Sequence, residues 1–310
     1  MITLEDNFKT KFKYGTCIAL GSFDGLHLGH LQLINKAIQI AKKNKCKSMV
    51  CTFKNHPLTI INEDLAPKLI MNEETKIQIL NKLGVDIVNF INFDYEFMKM
   101  CAEDFIKNLV ECYSVKAIIV GFNFRFGYKN LGDVELLKEL SKKFNFKVHI
   151  IKAVKSKEGV ISSSKIRNIL SEEGDIEKAN KMLTRYFSLK GKVVKGKQIG
   201  REMGFPTINL DYDKKFVLPR GGVYFTIVEY KKMHFKGITN IGYNPTVNND
   251  KLGVETHILN FNQNVYGENI TIYFVKRIRD EKKFNSKAEL SEQLKNDKLY
   301  AEKQRIELNI

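Results

Sequence analysis

Through the first 185 residues, short apolar runs alternate with amphipathic stretches. Thr16–Leu20, Ser48–Phe53, Val85–Ile91, Ala117–Val120 and Lys147–Ile151 read as buried strands. Helical patterns lie between them. In the clearest, Leu31, Ile34, Ile38 and Ala41 follow one another at steps of three, four and three, which keeps one face apolar. Strand–helix alternation predicts an α/β fold with a doubly wound parallel sheet, whose ligands sit beyond the carboxyl ends of the strands. After about residue 186 the period changes. Ser188–Lys195, Val223–Glu229, Phe235–Ile241, Val254–Asn260 and Ile270–Val275 are closely spaced strands, separated by turns such as Gly221-Gly222 and Asn248-Asn249-Asp250. They predict a small antiparallel β-barrel. A C-terminal helix starts at Ser286, where Glu289 completes a capping-box pattern, and Leu290 and Leu294 are expected to face the core. The expected division is therefore a domain over residues 1–185 and a second over 186–310. The linker near Leu183–Leu189 lacks a Pro/Gly-rich spacer.

Length and composition support two globular domains. The 310 residues are 43% hydrophobic and 28% charged, which excludes a disordered or fibrous chain. No run approaches 18 consecutive apolar residues, and the first fifteen contain no apolar core of a secretory signal. The five cysteines are unpaired in pattern and absent after Cys112, so a reducing cytoplasm is expected rather than a disulfide framework or zinc ribbon. The net charge of +16 invites a nucleic-acid reading. It divides evenly, +8 on each side of residue 185, and only eight of the 51 basic residues are Arg. Base readout and bidentate phosphate contacts favour Arg, so a lysine-rich solvated surface fits better. A positive field would also draw in a polyanionic small substrate.

Four segments carry candidate chemistry. Gly21-Ser22-Phe23-Asp24-Gly25-Leu26-His27-Leu28-Gly29-His30 joins the first strand to the first helix. A glycine-rich turn there lets backbone N–H groups and the helix N-terminus approach phosphate oxygens. Its G-x3-G-x3-G spacing is not the dinucleotide fingerprint. Two histidines three apart could be helix caps or zinc ligands, but no third ligand stands out, and nucleotide chemistry is the better reading. Ile161-Ser162-Ser163-Ser164-Lys165-Ile166-Arg167 sets hydroxyls at a helix start with two cations close behind; an ordinary cap is the plainer alternative. Gly121-Phe122-Asn123-Phe124-Arg125-Phe126-Gly127 follows the fourth strand, where its phenylalanines are either core or walls for a flat aromatic ligand. In the second half, Gly191 to Lys197 nearly forms a P-loop but has Gln198 where a hydroxyl is required. Gly204-Phe205-Pro206-Thr207-Ile208-Asn209 offers two oxygens at alternate positions, suited to a hard cation or phosphates, or else is simply a turn and strand start.

Taken together, these residues carry a resemblance. HxGH after the first strand with ISSSxxR near the end of the sheet resembles the nucleotidylyltransferase superfamily. The runs GSFDGLHLGH, TFKNHP (Thr52–Pro57), GFNFRFG and ISSSKIR resemble the bacterial bifunctional riboflavin kinase/FAD synthetases. The likeness continues through Gly204–Asn209, Gly222-Val-Tyr224, Asn240–Thr246, Glu255-Thr-His257 and Ile278–Phe284, the pattern of the riboflavin kinase module, a six-stranded barrel. Departures are Ser164 where the family more often has Thr, and Asn55 where Pro is common.

The resemblance implies two reactions. In the first domain, FMN attacks the α-phosphorus of ATP, with His27 and His30 at the phosphates and transition state and Asn123 near the reacting centre. Gly21, Phe23 and Gly29 would line the nucleotide, Ser163, Ser164 and Arg167 would hold pyrophosphate, and Phe122 would contact flavin. In the second, ATP phosphorylates riboflavin, with Glu255 as catalytic base and Thr207 and Asn209 as Mg–ATP ligands. Gly191, Gly196 and Arg201 would cover phosphates, and Arg279 would lie on the flavin side. His257 is expected to be structural. Riboflavin, FMN and ATP are the expected partners, Mg²⁺ accompanies ATP, and FMN and FAD are substrate and product rather than redox cofactors. No nucleic-acid or membrane partner is expected, and the chain is expected to be a monomer or weak homo-oligomer. Two rivals remain: an enzyme with one silent module, and a basic RNA-binding protein on an HxGH fold, whose binding would weaken steeply with salt.

Overall fold

The computed structural model describes residues 1–157, 159–196, 204–243 and 252–306. Packing divides the chain into two units, Met1–Pro67 with Asn72–Ser162, and Lys68–Met71 with Ser163–Ile310.

The first unit is built on six parallel strands: β1 (Ile2–Leu4), β2 (Thr16–Leu20), β3 (Lys47–Phe53), β4 (Ile87–Ile91), β5 (Val115–Gly121) and β6 (Lys147–Ile151). Their order is β1-β4-β3-β2-β5-β6. Every residue of β2 and β4 is buried, which accounts for their uninterrupted apolar runs. Val85 is buried in the turn before β4 rather than within it. The chain steps outward from β2 to β3 and β4, then returns to lay β5 on the other side of β2. The order thus reverses between β2 and β5, and a crevice forms at their carboxyl ends. The helices are α1 (Leu28–Lys43), α2 (Leu58–Ile61), α3 (Glu73–Lys82), α4 (Tyr95–Lys99), α5 (Ala102–Tyr113) and α6 (Val134–Lys143). Helix α1 buries Ile34, Ile38 and Ala41, as its period predicts, together with Leu33, Ala37 and Ile40. It packs across β2, β3 and β5. Ahead of β2, the Asp6 carboxylate accepts from the Tyr113 hydroxyl at 2.7 Å, and Asn89 exchanges hydrogen bonds with the Asp6 backbone at 2.9 and 3.0 Å. All three are buried, so this network is fully paired where water cannot reach. A two-stranded ribbon, β7 (Lys155–Ser156) and β8 (Gly159–Val160), leads to the end of the unit.

In the second unit, β9 (Phe187–Val194), β10 (Thr207–Tyr212), β11 (Gly222–Tyr230), β12 (Met233–Tyr243), β13 (Leu252–Ile258) and β14 (Asn269–Arg279) form a closed antiparallel barrel, ordered β10-β13-β12-β11-β14-β9. Inside it, Thr226, Thr239 and Thr256 form a hydroxyl chain at 2.9 Å per link across β11, β12 and β13. Each of these buried hydroxyls thus has a hydrogen-bond partner. Helices α7 (Ser163–Asn168) and α8 (Ile176–Leu183), joined by a π-helical turn over Ile169–Glu173, belong to this unit. Asn180 of α8 donates to the Phe274 carbonyl at 2.9 Å and accepts from Phe187 N at 2.7 Å, fastening the helix to the barrel. By packing, then, the main stretch of the second unit starts at Ser163, ahead of the change of sequence period near 186.

Helix α9 (Lys287–Lys303) closes the unit. Ser286 caps it, its Oγ accepting from Glu289 N at 3.1 Å, as the capping-box pattern predicts. The expectation for its core residues needs correction. Leu290 and Leu294 are only half-buried, and the buried positions of the same helix face are Asp297 and Ala301. A buried carboxylate needs a cation, and Asp297 has one in Arg279.

Candidate active sites

At the end of β2 the chain makes a tight turn into α1. Phe23 and Leu26, with φ of 47° and 41°, and Gly25, with φ of 83°, all lie in the left-handed region. Two non-glycine residues in that region within four positions mark a backbone held by its surroundings. Both side chains are fully buried, and burial is what holds them. His27 is the N-cap of α1: its Nδ1 accepts from Gly29 N at 3.1 Å and from His30 N at 3.4 Å. An accepting Nδ1 carries no proton, so the neutral ring holds its hydrogen on Nε2, where it can be donated. His30 stacks on His27 with ring centroids 3.7 Å apart, and the edge of Phe23 meets His30 at 5.2 Å. Gly29 leaves room for this stacking: a Cβ there would lie 3.1 Å from His27 Cε1, close enough that the ring would have to give by a few tenths of an ångström. Gly21 likewise leaves room for the Phe23 ring, 3.2 Å from where its Cβ would stand.

On the opposite side of the sheet's reversal, β5 ends at Gly121. Phe122 and Asn123 are exposed immediately beyond, with Phe124 N bonded back to the Gly121 carbonyl at 3.1 Å. The three phenylalanines divide between the two readings. Phe126 is buried and stacks on Phe124 at 5.4 Å, whereas Phe122 is 49% exposed. The fold therefore gathers Gly21, Phe23, His27, Gly29, His30, Phe122 and Asn123 at the carboxyl ends of two adjacent strands. Of the TFKNHP segment, Asn55 pairs with the backbone of Phe93 in both directions, at 2.8 and 2.9 Å.

Ser163, Ser164 and Arg167 lie on α7, in the second unit, where Arg167 Nε donates to the Lys68 carbonyl at 2.6 Å.

On the barrel, β13 lies between β10 and β12. Glu255 stands directly opposite Asn209 on one side and Asn240 on the other, so the three form a row across one face. Thr207, two residues before Asn209, donates its hydroxyl to Glu255 Oε1 at 2.5 Å. Gly196 lies against this row, since a Cβ on it would come within 2.0 Å of Asn209 Nδ2. Gly191 is a glycine for another reason: its missing side chain would meet the Asp211 carbonyl at 2.4 Å on the neighbouring strand. Arg201 lies outside the described residues. His257 faces Thr207 across the strands, and its Nδ1 is 2.8 Å from the Pro206 carbonyl. Burial pulls its pKa down, with the Pro206 hydrogen bond opposing. Arg279 grips the buried Asp297 through two nitrogens, at 2.7 to 3.2 Å, while Gln293 donates to the same carboxylate at 2.9 Å. Its guanidinium is thus committed to α9.

Comparison with known proteins matches residues 9–165 to the FAD synthetase family model and residues 183–305 to the riboflavin kinase family model. The chain belongs to the bifunctional riboflavin kinase/FMN adenylyltransferase family. Relatives bearing that name include one from Buchnera aphidicola subsp. Schizaphis graminum, 38% identical over 93% of both chains. Another, from Bacillus subtilis, is 35% identical over 91% of this chain and 90% of its own. A solved structure described as a macrolide-efflux protein from Streptococcus pneumoniae shares the fold with a TM-score of 0.87 and 30% identity, over 98% of this chain and all of its own. No helix among the described residues is long and apolar enough to cross a membrane.

Sequence reading left two groups of residues at these clusters without a place. Asn240 lies in the quoted Asn240–Thr246 run but received no role, although the row with Glu255 and Asn209 gives it a place. Thr52 Oγ1 and Lys76 Nζ both donate to the Ser22 carbonyl of the histidine turn, and no spacing in the sequence announces the pair.

Proposed function

We propose how this enzyme divides its two reactions. It phosphorylates riboflavin with ATP to give FMN, then adenylylates FMN with ATP to give FAD and pyrophosphate. The observation that carries the reading is that two family models, one for each activity, match in tandem along the chain, and each covers residues that form a polar cluster. We assign adenylylation to residues 1–185 and the kinase to 186–310.

In the adenylyl transfer, the FMN phosphate attacks the α-phosphorus of ATP in line, without a covalent enzyme intermediate. Positioning and charge stabilisation do the work. His27, donating from Nε2, and His30 stabilise the phosphates as charge develops. Gly21, Phe23 and Gly29 let the nucleotide approach the turn, Asn123 orients the FMN phosphate, and Phe122 covers the flavin. Ser163, Ser164 and Arg167 hold the departing pyrophosphate.

In the kinase reaction, Glu255 takes the proton of the riboflavin 5′-hydroxyl. The Thr207 hydroxyl and the Asn209 amide oxygen, beside a carboxylate, are the hard oxygen donors that Mg²⁺ prefers, and they would hold it. Bound there with ATP, Mg²⁺ would offset charge on the transferred phosphoryl group. Gly191, Gly196 and Arg201 belong to the segment covering the phosphates. Arg279, held by Asp297, shapes the flavin side. The enzyme works in the cytoplasm as a monomer or weak homo-oligomer, without a nucleic-acid partner.

The deciding experiment is incubation with riboflavin and Mg–ATP, followed by chromatography of the flavins under oxidising and reducing conditions. FMN and then FAD are expected. Absence of both products would overturn the reading.

A further inference from the structure

Beneath the histidine turn lies a buried amine that neither reaction uses. The Ser22 carbonyl accepts from Thr52 Oγ1 at 2.7 Å, at the end of β3, and from Lys76 Nζ at 3.2 Å, on α3. Lys76 Nζ also lies 3.4 Å from Thr52 Oγ1, so a helix and two strand ends meet at one peptide. Lys76 is only 8% exposed, and its amine lies 6.0 Å over the Phe90 ring. Burial lowers its pKa, with the carboxylates of Asp24 and Glu73 opposing. Ordering and desolvating so long a polar side chain is costly, and such burial persists where a specific bond needs it.

The peptide it grips leads into the strained part of the turn. Phe23, the next residue, has φ of 47°, and Leu26 has φ of 41°. Non-glycine residues in such regions carry backbone strain and need surroundings that over-determine them. Fixing the Ser22 carbonyl fixes the direction in which the chain leaves β2, and His27 and His30 follow within eight residues.

We propose that Lys76 is a positioning residue for adenylyl transfer: with Thr52 it locks the Ser22 carbonyl and so holds the left-handed turn that presents His27 and His30 to the reacting phosphates. The inference rests on the adenylyltransferase reading of the first unit. Donation to a carbonyl needs only an N–H, so the amine serves in either protonation state.

The test uses the full-length protein with Lys76→Met, which keeps chain length and removes the donors. The kcat for FMN adenylylation is expected to fall about 10- to 100-fold, the scale of a misplaced reacting group. The KM for FMN and the riboflavin kinase rate of the same preparation should stay near wild type. The decisive comparison adds His30→Ala. Residues that act through one another are not additive, so in that background Lys76→Met should cost less than about threefold. A further loss of tenfold or more there, or a wild-type kcat for Lys76→Met alone, would overturn the proposal. If the methionine variant does not fold, Thr52→Val and Thr52→Ser decide. Valine should lower kcat several-fold with the same dependence on His30, and serine should restore it. A valine variant equal to wild type overturns the proposal. Wild-type FAD formation is measured alongside, so failure of the underlying activity is distinguishable from failure of Lys76.

Discussion

Glu255 and His30 belong to different units and, on the proposed chemistry, to different reactions, and single substitutions should separate them. A base is needed where a hydroxyl must lose a proton. Riboflavin presents a hydroxyl, whereas FMN presents an already ionised phosphate. Glu255→Gln keeps the shape of the row formed with Asn209 and Asn240 but removes the basic oxygen. Riboflavin phosphorylation should fall by about 10²–10⁴-fold while FAD formation from supplied FMN continues. A paired assay of one preparation with each flavin checks this, and equal loss of both activities in folded protein would contradict it. The converse holds for His30→Ala: adenylylation should fall by about 10²–10³-fold, the cost of one preorganised donor, with the kinase rate retained. Sequence reading reached His30 because glycines flank the two histidines in a strand-to-helix turn, whereas Glu255 was reached only through the resemblance of its run to the riboflavin kinase module. Lys76 has no such surroundings. It sits in a charged stretch, Glu73-Glu74-Thr75-Lys76, that reads as a solvated helix face, and its burial arises only where α3 meets the ends of β2 and β3.

At the scale of elements, the continuous runs of β2 and β3 were legible to within a residue because full or near-full burial leaves an unbroken apolar signature; β6 has the bounds the sequence predicts but, at the edge of the sheet, it is only half-buried rather than the buried strand expected. β1 was not legible, since its three residues are largely exposed and too few to show a period. β10 does alternate, with Ile208, Leu210 and Tyr212 against Thr207, Asn209 and Asp211, and it starts directly after the Gly-Phe-Pro turn, which is the turn-and-strand-start reading of that segment. Helix α9 shows how a cap can be read correctly and a core position missed. Its buried Asp297 carries no apolar signal and is explained only by Arg279 at the end of β14. Removing one partner of such a pair leaves a buried uncompensated charge. Arg279→Ala, which leaves the buried Asp297 carboxylate without its cation, should therefore destabilise the barrel unit by about 3–5 kcal/mol, measured by urea unfolding. The double variant Arg279→Ala/Asp297→Ala should lose clearly less than the sum of the two single losses. Additive losses would mean that the two side chains do not depend on each other.

For the whole molecule, packing and sequence period divide the chain at different places, and fragments can distinguish them. Residues 163–310 retain α7 and α8, with the Asn180 bonds to Phe187 and Phe274; residues 186–310 do not. Both fragments should phosphorylate riboflavin without making FAD, since the row around Glu255 lies wholly within the barrel. The longer should melt several degrees higher, because two buried side-chain hydrogen bonds and the apolar face of α8 are worth a few kcal/mol. Equal melting temperatures would show that α8 contributes nothing to the barrel. The pairing of β1 with β4 has a different consequence, one for the ribosome. Ile2–Leu4 align with Ile87–Asn89, and Asp6 bonds to Tyr113, 107 positions further on. At about 5–20 residues per second, β1 waits several seconds for its neighbour to emerge. It must spend that time unpaired. Its brevity and its solvent-facing side chains are what keep such a waiting strand from seeking a partner in another nascent chain.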